Sequence, residues 1–335
     1  MPRSHWFTTR AALALCVCLF SAAPATASEL FVSDFNNDNV LRFAGGTGAF
    51  QGVFASGGGL NAARGMALGA DGHLYVGSGF SDEVLRYNGL TGAFIDAFVT
   101  AGSGGLNSPG ELSFGPNGNL YVSSFDEVLR YDGVTGAFVD VFASGNGLQQ
   151  VSAMEFGPDG NLYVLDVQSA DLKRFDGTTG AFVDVLVPDV DFPTALTFGP
   201  DGNVYIGGVT IGVMRFDGST GAFIDNFIPD NSGGLTNAEA LAFGPDGNLY
   251  IADFDTVKRF DSTTGTFIDD FVNAGSGGLN AGSDLLFRVT VVPEPTPLAL
   301  LAIGISAFLL AGRRRSNRSC AAAISAHCGR HRSRL

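Results

Sequence analysis

Phe156-Gly157-Pro158-Asp159-Gly160-Asn161-Leu162-Tyr163-Val164 decides the fold of this chain. An Asp-Gly step between two short apolar segments marks a tight hairpin, because the glycine takes the positive φ that the turn requires. The phrase returns with small changes around Tyr75, Tyr121, Tyr205 and Tyr250, and in reduced form around Phe31, so that successive centres fall 44, 46, 42, 42 and 45 residues apart. Each copy continues with a segment like Val-Leu-Arg-Phe-Asp-Gly, at Arg42, Arg86, Arg130, Arg174, Arg215 and Arg259. A third segment, like Gly-Ala-Phe-Val-Asp, then follows at Phe50, Phe94, Phe138, Phe182, Phe223 and Phe267. Within a copy apolar and polar residues alternate over four to six positions and glycine or Asp-Gly falls at each break, which is strand periodicity punctuated by turns.

Four strands in about 44 residues make one propeller blade, and six copies make an all-β, six-bladed β-propeller of four-stranded antiparallel blades. The ends of the array predict how the ring closes. The first copy opens on the second strand, Leu30-Phe31-Val32, whereas the last copy leaves a spare first-type strand, Asp284-Leu285-Leu286-Phe287-Arg288-Val289. One missing strand and one spare strand complement each other, so the spare should complete blade one. An open solenoid would need capping instead.

Charge is distributed unevenly. The chain has a formal net charge of −14, but between Ser28 and Val292 there are 32 acidic against 10 basic side chains, a balance of −22. So acidic a body repels nucleic acid and anionic lipid, leaving divalent cations or basic surfaces as the electrostatic partners. All four cysteines, Cys16, Cys18, Cys320 and Cys328, lie outside it. A body this long buries a sufficient core without disulfides. His73 is its one histidine and Trp6, the sole tryptophan, lies near the N-terminus, so a histidine-rich zinc site and tryptophan sugar platforms are excluded.

At the N-terminus Arg3 and Arg10 precede an apolar run, Ala11 to Phe20, and the small-x-small step Ala25-Thr26-Ala27. That order predicts a signal peptide, residues 1–27, cleaved between Ala27 and Ser28. At the C-terminus Val292-Pro293-Glu294-Pro295 is followed by fifteen uncharged residues, Leu298 to Gly312, and then by Arg313-Arg314-Arg315. The apolar stretch is short for a span, which tilt or bilayer thinning accommodates, and the arginines orient it with the body outside. Residues 316–335 form a basic tail expected to be disordered.

The order Val-Pro-Glu-Pro, apolar helix, arginine cluster closely resembles the PEP-CTERM sorting signal over residues 292–315. The resemblance implies recognition by an exosortase, a membrane enzyme of Gram-negative bacteria that make extracellular polysaccharide, and transient anchoring by the helix. The chain departs from that pattern by running on past the arginines. Separately, Phe-Gly-Pro-Asp-Gly-Asn-Leu-Tyr-Val resembles the NHL-repeat and related six-bladed propellers over nearly all of Leu30 to Val289, a group that includes the gluconolactonase and virginiamycin B lyase types. This implies the fold for residues 28–291 but leaves function open, since these families range from scaffolds to enzymes.

A residue present in every blade is structural on the simplest reading, because one central site requires broken symmetry. The six strand arginines are expected to make inter-blade or turn hydrogen bonds. Function belongs where copies differ, at the start of each first strand: Arg64-Gly65, Gly110-Glu111, Ser152-Ala153, Thr194-Ala195, Glu239-Ala240 and Ser283-Asp284. Glu111, Glu239 and Asp284 converging on a channel mouth would suit Ca2+, which wants several oxygen ligands; the alternative is solvated loop charge. Asp34-Phe35-Asn36-Asn37-Asp38 has the opening spacing of a calcium loop but lacks its glycine and terminal glutamate, which favours an Asn-rich turn. No Ser/His/Asp or Cys/His set can be assembled. The leading expectation is a non-catalytic surface or matrix protein presenting loops such as Ala101 to Pro109 and Pro229 to Asn237 to a polysaccharide or another surface protein. The rival is a metal-dependent hydrolase or lyase of the gluconolactonase or virginiamycin B lyase type.

Overall fold

The computed structural model describes residues 26–291, which form six four-stranded antiparallel sheets arranged as the blades of a propeller. The signal peptide up to residue 25, the sorting segment 292–315 and the tail 316–335 lie outside the described residues. The first strand, Thr26–Asp34, begins just ahead of the expected cleavage step. Among the described residues no helix is long and apolar enough to cross a membrane.

Ring closure follows the strand arithmetic. Gly282–Val291 takes the innermost place in the first sheet, beside Thr26–Asp34, Asn39–Ala44 and Phe50–Ser56. The spare C-terminal strand therefore completes blade one. In the other five blades the four strands follow in sequence order from the axis outward, as in blade three with Pro109–Phe114, Leu120–Ser124, Glu127–Tyr131 and Phe138–Ser144.

Burial changes with distance from the axis. All five residues of the second strand Leu120–Ser124 are buried, because both faces of that strand meet a neighbouring blade, and alternation is lost there. The outer strand Phe138–Ser144 buries only its last apolar pair, Phe142 and Ala143. Each outer strand slips register twice against the third strand, as between Val128/Leu129 and Arg130/Tyr131. Such bulges, with the half-buried aspartates beside them, discourage edge-to-edge pairing.

The core is six clusters, one per joint between blades. At the joint of blades three and four, Tyr121 sits edge-on between Phe142 and Phe156, with ring centroids 4.8 and 4.9 Å away. The joint across the seam is built in the same way: Leu30, Leu41 and Phe43 of blade one pack with Tyr250 and Phe271 of blade six. One glycine per blade sets the closeness of these joints. Gly136 has φ 72° and a Cβ there would lie 2.0 Å from the Phe98 carbonyl oxygen of the preceding blade. Gly48 repeats the approach across the seam, with its Cβ position 1.7 Å from the Phe271 oxygen.

The repeated arginines meet the expectation of turn contacts in part. Five of the six fork onto an aspartate ten residues later on the outer strand of their own blade, and three of these, Arg86, Arg215 and Arg259, also lie within 4.0 Å of the Asp-Gly turn aspartates Asp71, Asp201 and Asp246. Arg130 donates from Nε to Asp140 Oδ1 at 2.9 Å and from Nη2 to Oδ2 at 2.5 Å, and lies 5.1 Å from the centre of the Phe142 ring. The cause is register, which sets Arg130 directly opposite Asp140. Arg86, Arg174, Arg215 and Arg259 repeat the fork with Asp96, Asp184, Asp225 and Asp269. In blade one Gly52 stands opposite Arg42, which pairs with Glu29 at 3.5 Å instead.

Candidate functional site

Antiparallel order puts the Asp-Gly turns on one face of the ring and the starts of the inner strands on the other. There the first residue of the varied pair in every blade, Arg64, Gly110, Ser152, Thr194, Glu239 and Ser283, borders one cavity of about 400 Å³. The inner strands slip register at this point, for instance between Ala63 and Met66 and between Pro109 and Leu112. A slip re-aims consecutive side chains. This is why Glu111, the second residue of its pair, reaches the same cavity.

Of the three carboxylates expected to meet, two line the cavity and the third is committed elsewhere. Asp284 accepts the N–H of Met66 at 2.6 Å and of Leu285 at 2.7 Å, which ties blade one to blade two. Glu239 lines the wall and accepts from Asn237 Nδ2. Among the described residues no three His, Cys, Asp or Glu side chains gather closely enough to hold a metal ion. The Asp34 loop is an Asn-rich turn: Asp34 accepts from Asn36 N–H, Asn37 Nδ2 and the N–H groups of Asn280 and Ala281, while Asp38 accepts from Ala62 N–H at 2.7 Å.

A fourth carboxylate was not anticipated. Glu155, one residue from the end of the inner strand Val151–Phe156, accepts Phe198 N–H at 3.2 Å and so ties blade four to blade five. Its sequence signal is charge in the body of a first strand, where other copies carry Ala67, Ser113, Thr197 and Ala242. Burial raises Glu155 to about 7 against the pull of that N–H and of Thr197. Burial also raises Asp284 to about 7, opposed by its two backbone donors. Glu111 is held well above the usual carboxylate range by burial and then by Asp284, with Glu155 adding and Arg64 opposing. Glu239 is raised by burial, opposed by Asn237 and helped by Asp253. Channel carboxylates thus keep protons to higher pH than free ones do.

Aromatic walls complete the site. Phe35 and Phe254 border the cavity from the turns that follow the second strands of blades one and six, and Phe254 is 51% exposed. Their signal was legible as an apolar residue placed inside a turn. The loops Ala101 to Pro109 and Pro229 to Asn237 carry the 3-10 turns Ser103–Gly105 and Ser232–Gly234 and lead into the mouth. Tyr131 Oη donates to the Ser103 carbonyl at 2.8 Å, fixing the first of them.

Together these features define a closed six-bladed propeller with a largely apolar, aromatic-walled cavity that carries a few polar groups at one mouth of its channel. Its backbone is similar to that of a protein of unknown function from Bacteroides caccae (13% identity, TM-score 0.60, 79% of this chain and 99% of that one). It is likewise similar to a chain of a nidogen/laminin complex (17% identity, TM-score 0.61, 78% of this chain and 98% of that one). At such identities the likeness is one of fold. No protein-family model and no curated protein matches the sequence.

Proposed function

We propose that this chain is an exported cell-surface or extracellular-matrix protein whose propeller is a binding module, with the channel-mouth cavity as its site. The observation that carries the reading is that one varied residue from each of six otherwise uniform blades borders a single cavity. A concave pocket with aromatic walls and a few convergent polar groups is the usual form of a small-ligand site, and its size falls within the common range of about 300–1,000 Å³. Export is supported by the residues up to Ala27 and Ser28, and sorting by Val292 to Pro295 with Arg313 to Arg315. On this reading an exosortase-type enzyme is the processing partner, and the apolar segment holds the chain in the inner membrane until then. The propeller of the nidogen/laminin complex belongs to an assembly of proteins. That is in keeping with a binding role here.

A catalytic alternative has one observation in its favour: Glu111, raised above the carboxylate range beside Arg64, has the character of a buried acid. Two measurements decide. Intact mass of the protein recovered from the cell surface should correspond to a chain that begins at Ser28 and lacks residues 313–335; a species retaining those residues overturns sorting. A panel of lactones and esters with added calcium, magnesium or zinc should show no turnover, whereas turnover abolished in Glu111→Ala overturns the binding reading.

A further inference from the structure

Arg64 stands apart from the other cations of the body. Arg42, Arg86, Arg130, Arg174, Arg215, Arg259, Arg288, Lys173 and Lys258 each have a carboxylate within 4.0 Å. Among the described residues Arg64 alone has none, although acids outnumber bases 32 to 10. Its Nε is buried without a hydrogen-bond partner, and its guanidinium lies over Phe35 at 5.2 Å from the ring centre. Burial lowers its pKa, which Glu111 only partly offsets. An arginine held in this way, unpaired and bordering a cavity, is prepared for an incoming carboxylate, to which its planar fork is matched.

The protein makes room for it. At the position four residues after each strand centre, five blades carry Phe35, Phe125, Val167, Val209 and Phe254, and blade two carries Gly79. A Cβ at Gly79 would approach Arg64 Nε to 2.6 Å and Cδ to 3.0 Å. Arginine and glycine are therefore matched departures from the repeat, fifteen residues apart, and each makes sense only with the other.

The remaining walls suit hydroxyls and a flat apolar ring. Glu239, Ser152 and Gln150 offer hydrogen-bonding groups, and the half-exposed Phe254 borders the same cavity. Burial and the neighbouring Asp284 raise the pKa of Glu111, so beside Arg64 it favours the protonated, donor form more than a free carboxylate does.

We propose that the cavity binds a pyranose bearing a carboxylate, a hexuronate unit, with Arg64, braced on Phe35, clamping the carboxylate and Phe254 facing the ring. The unit is either a free sugar acid or one residue of an acidic polysaccharide. This rests on the binding role proposed above.

The test uses the full chain and isothermal titration at pH 7 with glucuronate, glucose, acetate and a uronate oligosaccharide. Glucuronate is expected to bind at least tenfold tighter than glucose or acetate. Arg64→Gln should abolish that preference without shifting Tm by more than about 2 °C, and Phe254→Ala should weaken all sugars alike. Equal binding by the free acid and the oligosaccharide supports a monosaccharide site, and binding by the oligosaccharide alone supports a unit within a polymer. Acetate as tight as glucuronate, glucose as tight as glucuronate, or a preference that survives Arg64→Gln overturns the proposal. If no uronate binds yet the protein is retained on its native extracellular matrix through Glu239, the binding role stands and the uronate assignment alone fails.

Discussion

The repeated turns and the channel hold carboxylates shifted in opposite directions. On the turn face Asp132 accepts from Thr135 hydroxyl and N–H and from Val134 N–H, which lowers its pKa; Asp176, Asp217 and Asp261 repeat the arrangement. Asp159, Asp201 and Asp246 are lowered as well: partial burial opposes this, but a following asparagine and the tyrosine hydroxyl outweigh it. On the inner strands and at the channel mouth Glu111, Glu155, Glu239 and Asp284 are all raised, burial being the largest cause in each. The repeated face spends its acids on hydrogen bonds that fold the chain. Along the channel Asp284 and Glu155 also accept backbone N–H groups between or within blades, whereas Glu111 and Glu239 border the cavity, a position that suits ligand chemistry.

One strand belongs to both faces, and cutting it has the largest expected effect. Gly282–Val291 carries Asp284 at the mouth, and Arg288 farther along pairs with Glu29 and reaches the Gly89 carbonyl. A chain ending at Ala281 also loses the buried Leu285 and the Phe287 ring packed 4.8 Å from Tyr250. It should show no cooperative melting by circular dichroism; a sharp transition near that of the full chain would mean the seam does not hold the ring closed.

Next comes the uniform girdle. Asp140→Ala leaves the Arg130 guanidinium beneath Phe142 without its carboxylate, and an abandoned partner of this kind costs about 1–3 kcal/mol. At about 2–4 °C of Tm per kcal/mol for a domain of this size, the drop is readily measured by calorimetry. Glu239→Gln at the mouth should change stability by less than about 0.5 kcal/mol. If the two substitutions cost the same, the division of labour between the faces is wrong.

The pH profile separates the faces more finely. A carboxyl raised in the fold keeps its proton while the unfolded chain, with pKa about 4, has already lost it. As pH rises from about 4 to about 7 Glu155 and Asp284 therefore draw stability away. The turn aspartates have the opposite sign: their contribution is present above about pH 4 and is lost as pH falls through their lowered values. Tm against pH should peak between these limbs, and Glu155→Gln should flatten the upper limb while leaving the acid limb alone. An upper limb unchanged in that variant would show that Glu155 is ionised in the fold at neutral pH.

Much of this was legible in the sequence. Period, strand count and the missing and spare strands depend on local turns and on residues repeated six times, so one chain contains its own alignment. The departures Arg64-Gly65 and Glu239-Ala240 stand out from the repeat for the same reason, and Arg64 and Glu239 border the cavity. What could not be read depends on contacts between blades or across register. Asp284 looked free until the Met66 N–H, 218 residues away in the chain, was seen to fill it. The Arg130–Asp140 fork follows from a bulged register that alternation alone does not specify. Gly79 gave no signal as a glycine among 47, and acquires meaning only once Arg64 lies against it.

The smallest expected change in stability is also the sharpest test, because it sets two arginines of one repeat family of blades against each other. Arg130 is forked onto an aspartate, whereas Arg64 has burial to oppose and no carboxylate within 4.0 Å to repay it. Removing an unpaired, partly desolvated cation costs little, since the interaction that would be lost is absent. Arg64→Gln should therefore leave Tm unchanged or slightly higher, within about 0.5 kcal/mol, while Arg130→Gln lowers it by about 1–3 kcal/mol. Arg64 still touches Phe35, and loss of that exposed-side cation–π contact, worth about 0.5–1 kcal/mol, is the main term acting the other way. A double-mutant cycle of Arg64→Gln with Phe35→Leu isolates it. Should Arg64→Gln alone cost as much as Arg130→Gln, with no coupling to Phe35, Arg64 would be holding the fold together through the channel wall, and its readiness for a ligand would lose its physical basis.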